Sequence, residues 1–253
     1  MLSANVAVIL AAGLGSRLNS VSGYLPKPLV HFEGVPLLQH VMTAAKQAGV
    51  ERFVIVVGHQ GDVVRRWFAG SSLRSTPVTW VENTEYHKKN GISLLKARHA
   101  VAQPFLLLMS DHIFEPETAA SLLRQPLQKD EAILAVDHKL DCVFDMDDAT
   151  KVVRAADYVI SIGKNLKRYD AVDTGMFLCT PDVFDALEAV ITDGNCSLSD
   201  GMQHMASNRN LRAYDIGDAN WQDIDTPEML DFAQVQLAPY FSHLPRLEEV
   251  ASV

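Results

Sequence analysis

Seven apolar residues near the N-terminus, Val6-Ala7-Val8-Ile9-Leu10-Ala11-Ala12, run straight into Gly13-Leu14-Gly15-Ser16-Arg17-Leu18. A short apolar run without polar alternation reads as a strand covered on both faces, the kind found in parallel sheets. The two glycines after it free the backbone to turn and to bring N–H groups against a phosphate. Arg17 can add a forked contact to phosphate oxygens. Pro26-Lys27-Pro28-Leu29 comes shortly after, with Lys27 on a backbone that its flanking prolines keep extended and stiff. Two known phosphate loops do not fit. Leu18 stands where a dinucleotide fingerprint needs its third glycine, and Glu33 is too close to reach a ribose. No Gly-Lys-Ser/Thr follows, so a Walker loop is also excluded. A hydride-transferring oxidoreductase is disfavoured on the same residues.

The rest of the first half alternates strand and helix patterns. Helices are predicted over Pro36–Ala48, Asp62–Ala69 and Ile92–Val101, and strands over Phe53–Val57, Val78–Val81 and Phe105–Met109. Apolar runs separated by amphipathic helices predict a doubly wound α/β sheet, Rossmann-like and mostly parallel. The second half is more mixed: a helix over Glu117–Leu123, a strand over Ala132–Asp137 and a hairpin within Val152–Ile162 turning near Ala155-Ala156-Asp157. Further strands are predicted over Gly175–Cys179, Leu211–Ile216 and Trp221–Ile224. Thr180-Pro181 opens a helix to Ile191, and Thr226-Pro227-Glu228 opens the last long one. This gives one domain over residues 1–240, with a first half to about residue 115, a smaller mixed lobe from 116 to 240, and a tail over 241–253.

Composition narrows the partners. A net charge of −9 argues against nucleic acid, which selects a basic face. The three cysteines, Cys142, Cys179 and Cys196, have no paired spacing and fit a reducing, cytoplasmic setting. No stretch approaches the roughly 20 apolar residues of a membrane span. Assembly is not legible, and a homodimer is compatible with the sequence.

Two acidic segments complement the glycine loop. Asp111 follows the apolar strand Phe105–Ser110, and ligands of open α/β sheets sit beyond the carboxyl ends of strands. A carboxylate there suits Mg²⁺, which takes one or two carboxylates together with phosphate oxygens. In Trp221-Gln222-Asp223-Ile224-Asp225-Thr226-Pro227, an extended backbone would put Asp223 and Asp225 on one face. Paired carboxylates repel each other, so a metal between them is expected. Asn90-Gly91-Ile92-Ser93-Leu94 opens a helix, with Asn90 as its cap and a positive end available to a ligand. His59 and His112 read as structural histidines.

Leu10 to Leu18 followed by Pro26-Lys27-Pro28-Leu29 resembles the signature of the sugar-1-phosphate nucleotidylyltransferases, a superfamily with the fold just described. The resemblance implies that Leu10, Ala11, Ala12, Gly13, Leu14, Gly15 and Ser16 wrap a nucleoside triphosphate. It implies that Arg17 stabilises the departing pyrophosphate and that Lys27 binds phosphate. Asn90, Gly91 and Ser93 would lie near the base. Asp111 would be the first metal ligand, and the Trp-x-Asp segment would supply the second, aligned best with Asp223 and with Asp225 retained beside it. On the acceptor side, Lys164 would hold the acceptor's phosphate, with Lys167 and Arg168 as nearby rivals. Asp173, Thr174 and Gly175 would meet its polyol.

Within the superfamily, Met109-Ser110-Asp111-His112-Ile113-Phe114, Asn90 to Leu95 and Tyr169 to Gly175 look most like the inositol-1-phosphate cytidylyltransferase branch. That branch joins CTP to inositol 1-phosphate and is often fused to a membrane-embedded alcohol phosphotransferase domain. No such domain is visible in this sequence, so a stand-alone soluble form is expected, using CTP, a small phosphorylated alcohol and Mg²⁺. Phosphocholine and sugar-1-phosphate enzymes remain as alternatives, although no aromatic cage for choline can be assembled. A non-catalytic nucleotide-binding module is the alternative from another class, and it would be expected to have lost the acids.

Overall fold

The computed structural model describes residues 4–18 and 25–241. The tail expected from 241 lies outside the described residues from 242 onward. The strands are β1 (Val6–Ala11), β2 (His31–Phe32), β3 (Val35–Pro36), β4 (Arg52–Val57), β5 (Val78–Glu82), β6 (Phe105–Met109) and β7 (His112–Phe114). They continue with β8 (Ala132–Asp137), β9 (Lys151–Ala155), β10 (Tyr158–Gly163), β11 (Ala171–Cys179), β12 (Leu211–Asp215) and β13 (Trp221–Asp223). The α-helices are α1 (Leu37–Gln47), α2 (Gly61–Gly70), α3 (Asn90–Lys96), α4 (Pro116–Leu123), α5 (Asp182–Ala189), α6 (Leu198–Ser207) and α7 (Pro227–Phe241).

Among the described residues, nine strands form one sheet in the order β5-β4-β1-β6-β11-β8-β12-β10-β9. The first four run parallel, and β8 and β12 are also parallel to each other. Antiparallel β11 lies between β6 and β8 and joins the two halves into one continuous layer. The hairpin predicted near Ala156 is the β9–β10 turn, where Ala156 adopts positive φ.

The apolar run that opens the chain explains the layering. Successive strand residues point to opposite faces, so Val6, Val8 and Leu10 pack with Ile92, Leu94, Phe184, Leu187 and Met202 from α3, α5 and α6. Ala7, Ile9 and Ala11 pack on the other face with Leu38, Val41, Phe68, Ala119 and Leu122 from α1, α2 and α4. Each fully buried Ile or Phe in these layers contributes about 1.5–3 kcal/mol by leaving water. A third cluster holds the entry loop to the last helix: Leu18, Val30 and Phe32 meet Ile113, Ile224, Leu237 and Phe241. That cluster brings the Lys27 turn, the residues after Asp111 and the residues after Asp223 to one place.

Candidate active site

At the carboxyl end of β1 the chain turns through Gly13 and Gly15. Gly15 has φ +60, and a Cβ there would lie 2.5 Å from the Lys27 Cβ. Only glycine therefore lets this loop close over the Lys27 turn. The loop is tied to the sheet by Ser110 N–H donating to Leu10 O at 3.1 Å and His59 N–H to Ala12 O at 3.3 Å.

Lys27 begins a short 3-10 turn after extended Pro26, and it is 9% exposed. Its ammonium donates to Asp111 Oδ2 and to Asp225 Oδ1. The two acids reach it because β7 and β13 pair as a small antiparallel ribbon with His112 opposite Asp223. Ile224 N–H donates to Asp111 O at 2.9 Å to close the ribbon's end. Arg17 donates to Asp225 Oδ2 at 2.9 Å from the opposite side.

The electrostatics follow from this packing. Burial alone would raise the Asp111 carboxyl, but Lys27 and His112 outweigh it and hold the group far below the usual carboxylate range. Burial would lower the Lys27 ammonium, and Asp111 and Asp225 raise it instead. Asp223 is raised, first by burial and then by its acidic neighbours Asp225 and Asp111, with His112 and Lys27 pulling the other way. Burial pushes Asp173 up to about 6.

These groups line a cavity of about 340 Å³. Leu10, Ala12, Gly13, Arg17 and Lys27 reach it from the loop side, with Asn90 and Ser93 beside them. Asp111, Asp223 and Asp225 form its acidic wall, and Lys164, Asp173 and Gly175 line the far side. Lys167 and Arg168, the rivals of Lys164, are not among the lining residues.

Of the expected site residues, some lie outside the cavity lining, while Asn90 and Ser93 line it and also brace its walls. Ala11 packs into the core, and Leu14 is exposed beyond the cavity lining. Ser16 starts the short turn Ser16–Leu18. Thr174 is fully buried, with its hydroxyl donating to Ala135 O at 2.8 Å, so its side chain cannot meet a polyol. Asn90 does not cap its own helix, whose N-cap is Lys89. Its Oδ1 instead accepts Leu198 N–H at 2.9 Å at the start of α6. Gly91 sits so close to that segment that a Cβ would lie 2.6 Å from Cys196 O. Ser93 accepts from Asn83 Nδ2 at 2.9 Å.

A glycine loop and a lysine face clustered carboxylates across a parallel-sheet crevice, and the chain matches the MobA-like NTP transferase domain over residues 7–206. It belongs to that family. Over 231 residues it is 36% identical to a bifunctional IPC transferase and DIPP synthase from Rubrobacter xylanophilus, covering 90% of this chain and 51% of the relative. It is 36% identical over 156 residues to a 2-aminoethylphosphonate cytidylyltransferase from Lancefieldella rimae, covering 58% of this chain and 59% of that one. The chain thus spans about half the length of the first of these curated relatives. Among solved structures it resembles the inositol-1-phosphate CTP transferase from T. maritima, with a TM-score of 0.86 and 26% identity, covering 96% of this chain and 98% of that one.

In this NTP transferase domain two side chains join the site that sequence reasoning set aside or passed over. His112 Nδ1–H donates to Asp111 Oδ1 at 2.8 Å, and the ring stacks on Trp221 with centroids 6.0 Å apart. Gly175 makes room for it, since a Cβ there would lie 2.4 Å from His112 Cδ2. The adjacency of His112 to Asp111 was the available signal. Asp148, from the segment between β8 and β9, pairs with Lys164 at 2.5 Å and with Arg17 at 3.6 Å. No periodicity marks that segment.

The acidic wall also bears on a metal. An ammonium already lies between Asp111 and Asp225, and the Asp223 carboxyl beside them is raised, first by burial and then by Asp225 and Asp111. Hard carboxylate oxygens of this kind fit Mg²⁺. Among the described residues no three His, Cys, Asp or Glu groups converge to cage an ion unaided. Mg²⁺ does not require a cage when phosphate oxygens complete its shell.

Proposed function

We propose that this chain is a Mg²⁺-dependent cytidylyltransferase that joins CTP to a phosphorylated polyol, inositol 1-phosphate first among candidates, and releases pyrophosphate. The observation that carries the reading is the two-sided cavity, with Arg17 and Lys27 beside the glycine loop and Lys164 with Asp173 across from them. Cations on both sides suit two phosphate-bearing substrates, one donor and one acceptor. The choice of CTP and inositol 1-phosphate is supported by the solved structure of an inositol-1-phosphate CTP transferase with the same fold. CDP-inositol, a precursor of inositol-containing phospholipids, would be the product.

The chemistry is an in-line displacement. An oxygen of the acceptor phosphate forms a bond to the α-phosphorus of CTP while the bond from that phosphorus to the bridging oxygen breaks. Pyrophosphate departs with the electron pair, and no proton has to move because a phosphate monoester is already a competent nucleophile. Arg17 and Lys27 meet the charge that grows on the leaving group. Lys164 holds the acceptor phosphate in line, so much of the rate comes from positioning. Asp111, with Asp223 and Asp225, would hold Mg²⁺, which when bound neutralises phosphate charge.

The site is proposed to work in the cytoplasm, a setting supported by Cys142, Cys179 and Cys196 being free thiols. Among the described residues no helix is long and apolar enough to cross a membrane. The test is pyrophosphate release from each of the four nucleoside triphosphates, with and without Mg²⁺. The acceptor panel comprises inositol 1-phosphate, phosphocholine, glucose 1-phosphate and 2-aminoethylphosphonate. Release confined to CTP with inositol 1-phosphate is the expected result. Another active pair would reassign the acceptor, and silence across the panel would reduce the chain to a nucleotide-binding module.

A further inference from the structure

Asp148 is a cavity-lining acid to which the proposed nucleotidyl transfer gives no role. It stands in the segment between β8 and β9, outside the group of Asp111, Asp223 and Asp225, yet its carboxylate faces the same cavity. Oδ1 accepts from the Lys164 ammonium at 2.5 Å, and Oδ2 lies 3.6 Å from Arg17 Nη2. One carboxylate therefore spans a cation from the donor side and a cation from the acceptor side.

The backbone that carries Asp148 is fixed, whereas its partners are long and half exposed. Asp148 N–H donates to Asp145 Oδ1 at 3.2 Å and Ala149 N–H to Asp145 O at 3.0 Å. The Lys151 ammonium donates to Asp147 O at 3.0 Å, and Asp173 N–H ties Thr150 O to β11 at 2.9 Å. Phe144 packs on Phe232 of α7, with ring centroids 5.0 Å apart. By contrast, the Arg17 and Lys164 side chains are 54% and 55% exposed. A change in pairing would move the cations and leave the carboxylate in place.

We infer that Asp148 is a built-in counter-ion which holds Lys164 and shares Arg17 with Asp225 in the empty site, and which substrate phosphates must displace. In that role it weakens anion binding by competing with phosphates for these cations. A phosphate offers more charge and more acceptor oxygens than one carboxylate, so it wins each cation in turn. Retained in the site, Asp148 then favours release of pyrophosphate, because together with Asp225 it is ready to take Arg17 back. The inference rests on the preceding functional reading only in taking phosphates to be the ligands of Arg17 and Lys164.

The test is calorimetric binding of inorganic pyrophosphate and of inorganic phosphate to the full chain and to Asp148→Asn and Asp148→Glu. Asp148→Asn should bind pyrophosphate about three- to tenfold more tightly, the size expected for removing competing part-exposed ion pairs. The gain should shrink as salt is raised. Asp148→Glu keeps a carboxylate and should stay near the parent. Unchanged or weaker binding by Asp148→Asn overturns the inference, because Asp148 would then orient the cations or serve only the fold. The parent chain gives a second reading that requires no variant to fold. With isotopically labelled lysine, the Lys164 ammonium resonance should shift on saturation with inorganic phosphate, and a resonance that stays put also overturns it. Neither measurement needs turnover. A chain that binds pyrophosphate more tightly as Asp148→Asn yet never releases it from CTP would sink the transferase reading alone. An active transferase whose Asp148→Asn variant shows no gain would sink this inference alone.

Discussion

Lys27 and Asp111 stand 84 positions apart in the chain and share a hydrogen bond in the cavity wall. Asp225, 198 positions from Lys27, accepts from the same ammonium. The donor side and the acidic side of the site are thus held by one buried cation.

That cation makes the fold sensitive to pH at both ends. Asp111 is depressed in the folded chain, so its contribution to stability is present above the unfolded carboxylate value of about 3.9 and is lost as pH falls through the folded value. Lys27 is raised, so its contribution is present below about 10.4 and is lost as pH rises through its folded value. Lys27→Met leaves two carboxylates without their partner and should destabilise the chain by about 3–5 kcal/mol at neutral pH. Thermal unfolding across pH measures this. A Lys27→Met variant with the parent's melting profile would show that the pair adds no stability.

Asp111→Asn tests the chemistry with little change in volume. Lys27 keeps Asp225 as partner, so the variant should fold. Turnover with Mg²⁺ should fall on the order of 10²–10³-fold, as expected when the proposed holder of the charge-stabilising cation is removed. Pyrophosphate release at saturating Mg²⁺ checks it, and near-parental rates would remove Asp111 from the metal assignment.

Much of this was legible in the sequence because strand and loop signals are local. The alternation of buried runs and helices predicts the parallel half. The glycine loop and Lys27 take on a shared role only through the family resemblance, and the extended backbone expected at Lys27 is instead the start of a 3-10 turn. Helix α6 is weakly marked in the sequence, although Ser197 and Asp200 form a reciprocal capping box at its start. An Asp at the third position is a weaker signal than the usual Glu or Gln. The burial of the Thr174 hydroxyl against Ala135 O is not legible, because a single sequence does not reveal which face of a strand a polar group takes. The pairing of Asp148 with Lys164 and Arg17 depends on tertiary closure between segments 16 and 131 positions away, and no local pattern encodes that.

Asp173 should behave as an acid held against its folding preference. Burial pushes its carboxyl up to about 6 while Gly175 N–H donates to Oδ1 at 2.7 Å. Because the folded value lies above the unfolded one, this group's share of stability falls as pH rises from about 4 toward 6. Asp173→Asn keeps the Oδ1 acceptor and removes the charge. It should unfold at a higher temperature than the parent at pH 7 and at about the same temperature at pH 4, while its KM for the acceptor rises. A lower melting point at pH 7 would show that the charged form is stabilised in place.

His112 offers the sharpest separation between holding the site and forming the fold. It fixes one oxygen of Asp111 while Lys27 takes the other. Its own ring is set by stacking on Trp221, whose indole N–H donates to Asp137 Oδ2 at 2.9 Å. Partners that orient a metal-binding carboxylate typically contribute about 10–100-fold in metal affinity or activity. His112→Ala should therefore raise the Mg²⁺ concentration for half-maximal rate by about that range. Gly175→Ala should move the same parameter in the same direction, because its new Cβ would drive the ring off Asp111. A purely structural histidine would lower the melting temperature in both variants without changing the Mg²⁺ dependence. Rate measurements over a Mg²⁺ series, set beside the melting curves, decide between the two. If only stability changes, the orienting role of His112 is lost while that of Asp111 still stands.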